Sequence, residues 1–175
     1  MGDSTPSGEE SEPQFQGRLS DPTYLAGLRP IPTGTLATPR PAPTDRIAGH
    51  SPRGEPVEVS LRRSGRILLC FLATRCDGCD SFWQGLGDEA SEQLPADVSC
   101  VILTKSTTEA DVAEVRRLSE GIGRWPVVMT SEAWHQFQVL SYPFFVLVEG
   151  ASCDVVGETV GFGWADVRTM MSPPR

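Results

Sequence analysis

The segment Cys76-Asp77-Gly78-Cys79 stands where a strand-like apolar run gives way to a helical pattern, and that junction constrains the chain more than any other feature. Upstream, residues 66–73 (Arg-Ile-Leu-Leu-Cys-Phe-Leu-Ala) are almost continuously apolar and of strand length, as a central strand covered on both faces requires. Downstream, Phe82, Trp83, Leu86 and Ala90 recur at helical spacing among Asp88, Glu89 and Glu92, so residues 79–94 predict an amphipathic helix closed by Pro95. Gly85 and Gly87 weaken it. Two cysteines one turn apart at such a helix start can bond to each other. The unsatisfied N–H groups and the helix dipole favour a thiolate on the first of them. In this setting the pair reads as a redox centre; the alternatives are half a zinc site or two inert core thiols. Zinc asks for about four ligands, and no second C-x-x-C or His pair stands at ligand spacing. No metal is assigned.

The rest of the chain alternates strand and helix. Residues 98–103 predict a second buried strand, and residues 109–118 a helix with Val112, Val115 and Leu118 on one stripe. Residues 126–129 form a third short strand candidate, and residues 132–137 a short helix capped by Ser131. A hairpin joins residues 144–148 to 154–158 across 149–152, and a last helix starts at Gly163. Ahead of the motif, residues 46–49 and 57–61 flank a turn-rich connector and read as a hairpin. This is an α/β rhythm, a central mixed sheet flanked by helices.

The chain of 175 residues suits one domain with a tail. Residues 1–45 are rich in Pro, Gly, Ser and Thr and predict an extended, disordered arm; residues 46–171 form the domain, and 172–175 a short tail. A net charge of −8, with Lys105 the only lysine, disfavours nucleic acid and anionic membrane surfaces as partners. No apolar stretch reaches the roughly 18 residues of a membrane span, and the N-terminus lacks the plan of a secretion signal, so a cytoplasmic monomer is expected. No dinucleotide fingerprint follows a strand, so no organic cofactor is expected. Cys70 and Cys100 lie inside apolar runs, where free cysteine packs as a small hydrophobe.

Residues 67–79 resemble the strand-loop-helix active-site segment of the thioredoxin-like superfamily, and Tyr142-Pro143 before residues 144–148 resembles its cis-proline loop. The opening hairpin is similar to that of the TlpA-like, membrane-associated reductase branch and of related accessory proteins of bacterial dehydrogenase maturation. The resemblance covers about residues 46–171. It implies a thioredoxin-like fold and a thiol-disulfide oxidoreductase with Cys76 and Cys79 as catalytic residues. It further implies that Tyr142 and Pro143 hold the backbone of a protein disulfide client. Thioredoxins proper carry Trp before the first cysteine and a buried acid in the preceding strand; this chain has Arg75 and Cys70 there. Arg75 would favour a Cys76 thiolate and Asp77 would oppose it. The departures leave a second reading, a non-catalytic thioredoxin-fold binding or assembly module.

Overall fold

The computed structural model describes residues 33–87 and 94–172. Its centre is an eight-stranded sheet: β1 (Thr33–Pro41), β2 (Arg46–His50), β3 (Pro56–Ser60), β4 (Arg66–Phe71), β5 (Val98–Thr104), β6 (Val127–Met129), β7 (Phe144–Glu149) and β8 (Asp154–Val160). Among the described residues four helices accompany it: α1 (Asp77–Gly85), α2 (Val112–Ser119), α3 (Ser131–Gln136) and α4 (Trp164–Met171). The spatial order is β1-β8-β7-β4-β5-β6-β2-β3. β4 runs parallel to β5 and antiparallel to β7, which makes the sheet mixed, and β4 lies at its middle.

The apolar run at β4 behaves as its composition demands. Ile67, Leu68, Leu69, Cys70 and Phe71 are all buried, alternating between two cores. Leu68 and Cys70 join residues of α1, α2 and α4 on one face; Ile67, Leu69 and Phe71 join Ala133, Trp134 and Phe137 on the α3 side. Full burial of each large side chain contributes about 1.5–3 kcal/mol, so the central strand is fixed from both faces. Among the described residues no helix is long and apolar enough to cross a membrane.

The domain begins earlier than expected from sequence. Thr33–Pro41, assigned above to a disordered arm, is an edge strand antiparallel to β8. Its register shifts between Thr35 and Arg40, near Pro39, and Pro is tolerated there because an edge strand bonds on one side only. Arg40 pairs with the buried Glu158 of β8 and anchors the strand. The part of the expected arm before Thr33 lies outside the described residues. The expected hairpin is present as β2 and β3, joined to the sheet where His50 pairs with Met129 of β6.

Two smaller differences have local causes. The cap of α3 is Thr130, whose side chain accepts from Ala133 N, while Ser131 Oγ accepts from Ser106 N at 3.0 Å. Helix α1 ends at Gly85, and the remainder of the expected helix from residue 88 lies outside the described residues. Gly85 is a seat rather than a weakness: a Cβ there would collide with Trp164 Nε1 of α4.

Candidate functional site

The β4 strand delivers the chain into a short loop, and Cys76 closes that loop as the N-cap of α1, with extended backbone at φ −130° and ψ 107°. The Cys76 side chain makes no capping hydrogen bond, and the Cys79 and Asp80 N–H groups donate to Cys76 O at 2.8 and 3.2 Å, which fixes Cys76 at the positive end of the helix. Asp77 and Asp80 occupy the first turn, where carboxylates complement the helix dipole. Trp83 Nε1 donates to Ala73 O at 3.2 Å, tying the helix to the end of the strand and bracing the loop between them.

The two sulfurs are 2.7 Å apart, with Cys79 donating to Cys76. Their surroundings differ: Cys76 is half-buried, whereas Cys79 is wholly buried in the α1 face of the core. Burial, reinforced by the bond to Cys76, pushes the Cys79 thiol up to about 12. Cys79 therefore holds its proton at neutral pH, and the half-exposed Cys76 is the sulfur that another molecule can reach.

The raised value has a consequence for stability. A thiol ordinarily titrating at 9.0 and raised to about 12 binds its proton more tightly in the folded than in the unfolded chain. Its contribution is complete below about pH 9 and is lost as pH climbs toward 12. Denaturant unfolding of the reduced protein is therefore expected to lose stability across that window faster than Cys79→Ala does. Equal slopes would show that Cys79 does not hold its proton.

Pro143 meets the motif from the other side. The Tyr142–Pro143 bond is cis, as the resemblance implied, and a Cβ on Gly78 would stand 3.3 Å from Pro143 Cδ and 4.0 Å from Cys76 Sγ. Glycine at this position lets the proline loop lie directly on the start of α1. Gly161 N donates to Pro143 O at 3.1 Å, which brings the loop between β8 and α4 to the same place. Leu140, Tyr142 and Phe162 are the exposed large hydrophobic residues of the described chain, and all three lie on segments flanking Pro143. A cleft of about 280 Å³ opens beside Tyr142, with Ala73, Thr74, Lys105 and Trp134 among its walls. The Lys105 ammonium lies 4.8 Å from the centre of the Trp134 ring.

Arg75 adopts φ 55°, a left-handed conformation uncommon outside glycine, and its Nη2 lies 2.9 Å from Asp111 Oδ2. The guanidinium is thus engaged by the carboxylate that caps α2. Sequence reasoning missed Asp111, and only its position as an acidic residue ahead of a helix could have drawn attention to it. It missed Gly161 and Phe162 as well, because nothing local marks them as neighbours of a proline so far back in the chain. At the strand position where a buried acid was absent, Cys70 lies beside Cys100. Glu158 is the buried acid among the described residues, and it belongs to the β1–β8 pair. Among the described residues no group of three or more His, Cys, Asp or Glu side chains is placed to share a metal ion.

No family model matches the chain, and no curated protein matches it in sequence. Solved structures do match. A thioredoxin-family thiol:disulfide interchange protein from Chlorobium tepidum superposes with a TM-score of 0.60 at 21% identity, covering 77% of this chain and 97% of its own. A secreted Mycobacterium tuberculosis disulfide oxidoreductase homologous to Escherichia coli DsbE gives 0.55 at 17% identity, over 71% and 93% of the two chains. A thioredoxin-like protein from Aeropyrum pernix gives 0.56 at 18% identity, over 72% and 88%. With the mixed sheet, the motif at the start of α1 and the cis proline beside it, these likenesses establish that the chain has the fold of the thioredoxin-like superfamily.

Proposed function

We propose that the protein is a thiol-disulfide oxidoreductase that exchanges a Cys76–Cys79 dithiol with a disulfide in a protein client. The observation that carries this reading is the asymmetry of the pair: a reachable Cys76 at an uncapped helix start, a buried Cys79 in contact with it, and Pro143 alongside. In the reductive direction the Cys76 thiolate attacks one client sulfur, forming a mixed disulfide and releasing the other as a thiolate. Cys79 then gives up its proton and attacks Cys76, so the Cys76–Cys79 bond forms and the client leaves as a dithiol. Oxidation of a client is the same sequence reversed. Tyr142 and Pro143 present the backbone that receives the client, and Leu140, Tyr142 and Phe162 supply apolar contact around it.

Arg75 and Asp77 act as modulators at the rim in this reading, with the charge of Arg75 tempered by Asp111. The Chlorobium and Mycobacterium proteins, named for disulfide chemistry, support the assignment by likeness of fold. A second reading, a binding module that keeps the cysteines without using them, is favoured by Cys70 standing where an acid would assist Cys79. The two separate in a dithiothreitol redox series, with thiols alkylated, counted by mass and localised by peptide mapping. A two-electron transition confined initially to Cys76 and Cys79 is expected. Two thiols that remain free at every poise would leave the binding module.

A further inference from the structure

A second pair of thiols meets inside the sheet. Cys70 of β4 and Cys100 of β5 belong to the same core cluster, in a register that pairs Leu68 with Cys100 and Cys70 with Ile102. They are diagonal neighbours on adjacent parallel strands, and their sulfurs converge to 3.3 Å, in hydrogen-bond contact. Both residues are buried, at 0% and 1% exposure. Cys79 is in the same cluster and Cys76 packs against it, so four of the chain's five cysteines gather on one face of the sheet. Packing accounts for two small buried side chains at these positions. It does not require that their sulfurs point at each other.

We propose that Cys70 and Cys100 form a second, buried dithiol-disulfide couple, oxidised by exchange with the Cys76–Cys79 disulfide of the same chain. The proposal rests on Cys76 and Cys79 being a redox pair. Its chemistry is two successive exchanges. Cys70 loses its proton in a local opening and attacks the Cys79 sulfur; the Cys76–Cys79 bond breaks, a Cys70–Cys79 bond forms, and Cys76 leaves as a thiolate. Cys100, deprotonated in turn, attacks the Cys70 sulfur; the Cys70–Cys100 bond forms and Cys79 leaves as a thiolate. The protons lost by Cys70 and Cys100 are balanced by those that restore the Cys76 and Cys79 thiols. Two electrons have then passed from the core pair to the site pair, and the only oxidant consumed is the disulfide that first oxidised Cys76 and Cys79.

Closing the bond brings the sulfurs from 3.3 Å to about 2.05 Å and draws β4 and β5 together locally, since diagonal residues on neighbouring strands stand about 7–8 Å apart and a disulfide spans Cα separations up to about 7 Å. Burial, with the Cys100 contact added, holds the Cys70 thiol well above its ordinary range. The thiolate is therefore scarce, and the internal exchange should run on the scale of minutes to hours, as unassisted disulfide rearrangements do. The site pair would turn over quickly with clients while the core pair follows sustained oxidation slowly.

The test uses the full chain, reduced, then held in excess glutathione disulfide and sampled by alkylation in denaturant and peptide mapping. Cys76–Cys79 is expected first and Cys70–Cys100 later, leaving Cys153 as the one free thiol. In the Cys76→Ser/Cys79→Ser double variant the core bond should form at least about tenfold more slowly, because glutathione disulfide has no direct access to buried sulfurs. If the double variant fails to fold, Cys76→Ser alone serves instead: it cannot form the site disulfide either, so the Cys70–Cys100 bond should be delayed by the same factor. A wild-type chain that forms the first bond and never the second overturns this inference and leaves the proposed function standing. Failure of the first bond overturns both, and equal rates of core-bond formation in wild type and variant overturn the relay.

Discussion

Replacing Cys76 by serine is expected to reduce the proposed client-disulfide exchange by about three orders of magnitude or more, because a hydroxyl cannot form the mixed disulfide through which that reaction would pass. Replacing Cys79 should give a different result. Cys79 is buried and carries its proton near neutrality, so it cannot substitute for Cys76 as the first attacker. Its sulfur is 2.7 Å from Cys76, within reach of the mixed disulfide that the proposed reaction would form there. Cys79→Ser should therefore still attack a client disulfide once and then accumulate as a covalent complex. Insulin reduction with dithiothreitol as electron donor reads the first effect, and non-reducing mass analysis after mixing with client reads the second. Two variants that both keep wild-type turnover would refute the division of labour, and two inactive variants without a trapped complex would refute the order of the steps.

Much of this arrangement was legible because it is encoded locally. The apolar run through Ile67 and Phe71 can be satisfied only by burial on both faces, and the motif that follows sits where such a strand must hand over to a helix. Pro143 stands directly ahead of a long apolar run and a hairpin, and its bond is cis. What was not legible depends on register and on contacts distant in sequence. Residues 33–41 have the composition of a linker, yet β8 offers an unpaired edge, and backbone hydrogen bonding with the Arg40–Glu158 pair outweighs poor strand propensity. Gly85 looked like a defect in a helix because the indole that fills its notch comes from residue 164. The direction of Arg75 follows from where Asp111 is carried by α2, and the meeting of Cys70 with Cys100 follows from the pairing of β4 with β5. Each strand announces its burial in its own sequence, but the diagonal that joins their sulfurs exists only once both are paired.

Phe145→Ala is expected to be the most costly single truncation beside the site, at about 3–5 kcal/mol for a buried phenylalanine that leaves a cavity. Phe145 is fully buried on β7, opposite Cys70 in the register with β4. Its ring lies 4.7 Å from Phe82 of α1 and 6.2 Å from Trp164 of α4, while Phe82 and Trp164 are 5.1 Å apart. One ring thus joins the central sheet to the helix that starts at Cys76 and to the C-terminal helix. It also touches the proline loop's support, since a Cβ on Gly161 would stand 2.5 Å from Phe145 Cε2. Collapse into the space is restricted, because the other two aromatic rings are held by their own helices. Unfolding by denaturant should show the full loss, with a fall in Tm of roughly 10 °C for a domain of this size. Phe145→Leu, which keeps most of the volume, should cost less than about 1.5 kcal/mol. A loss below about 1 kcal/mol for the alanine variant would mean that the helices hold their places without this ring. The position of Cys76 against Pro143 would then have to be maintained by the strand and loop contacts alone, chiefly Trp83 on Ala73 and Gly161 on Pro143.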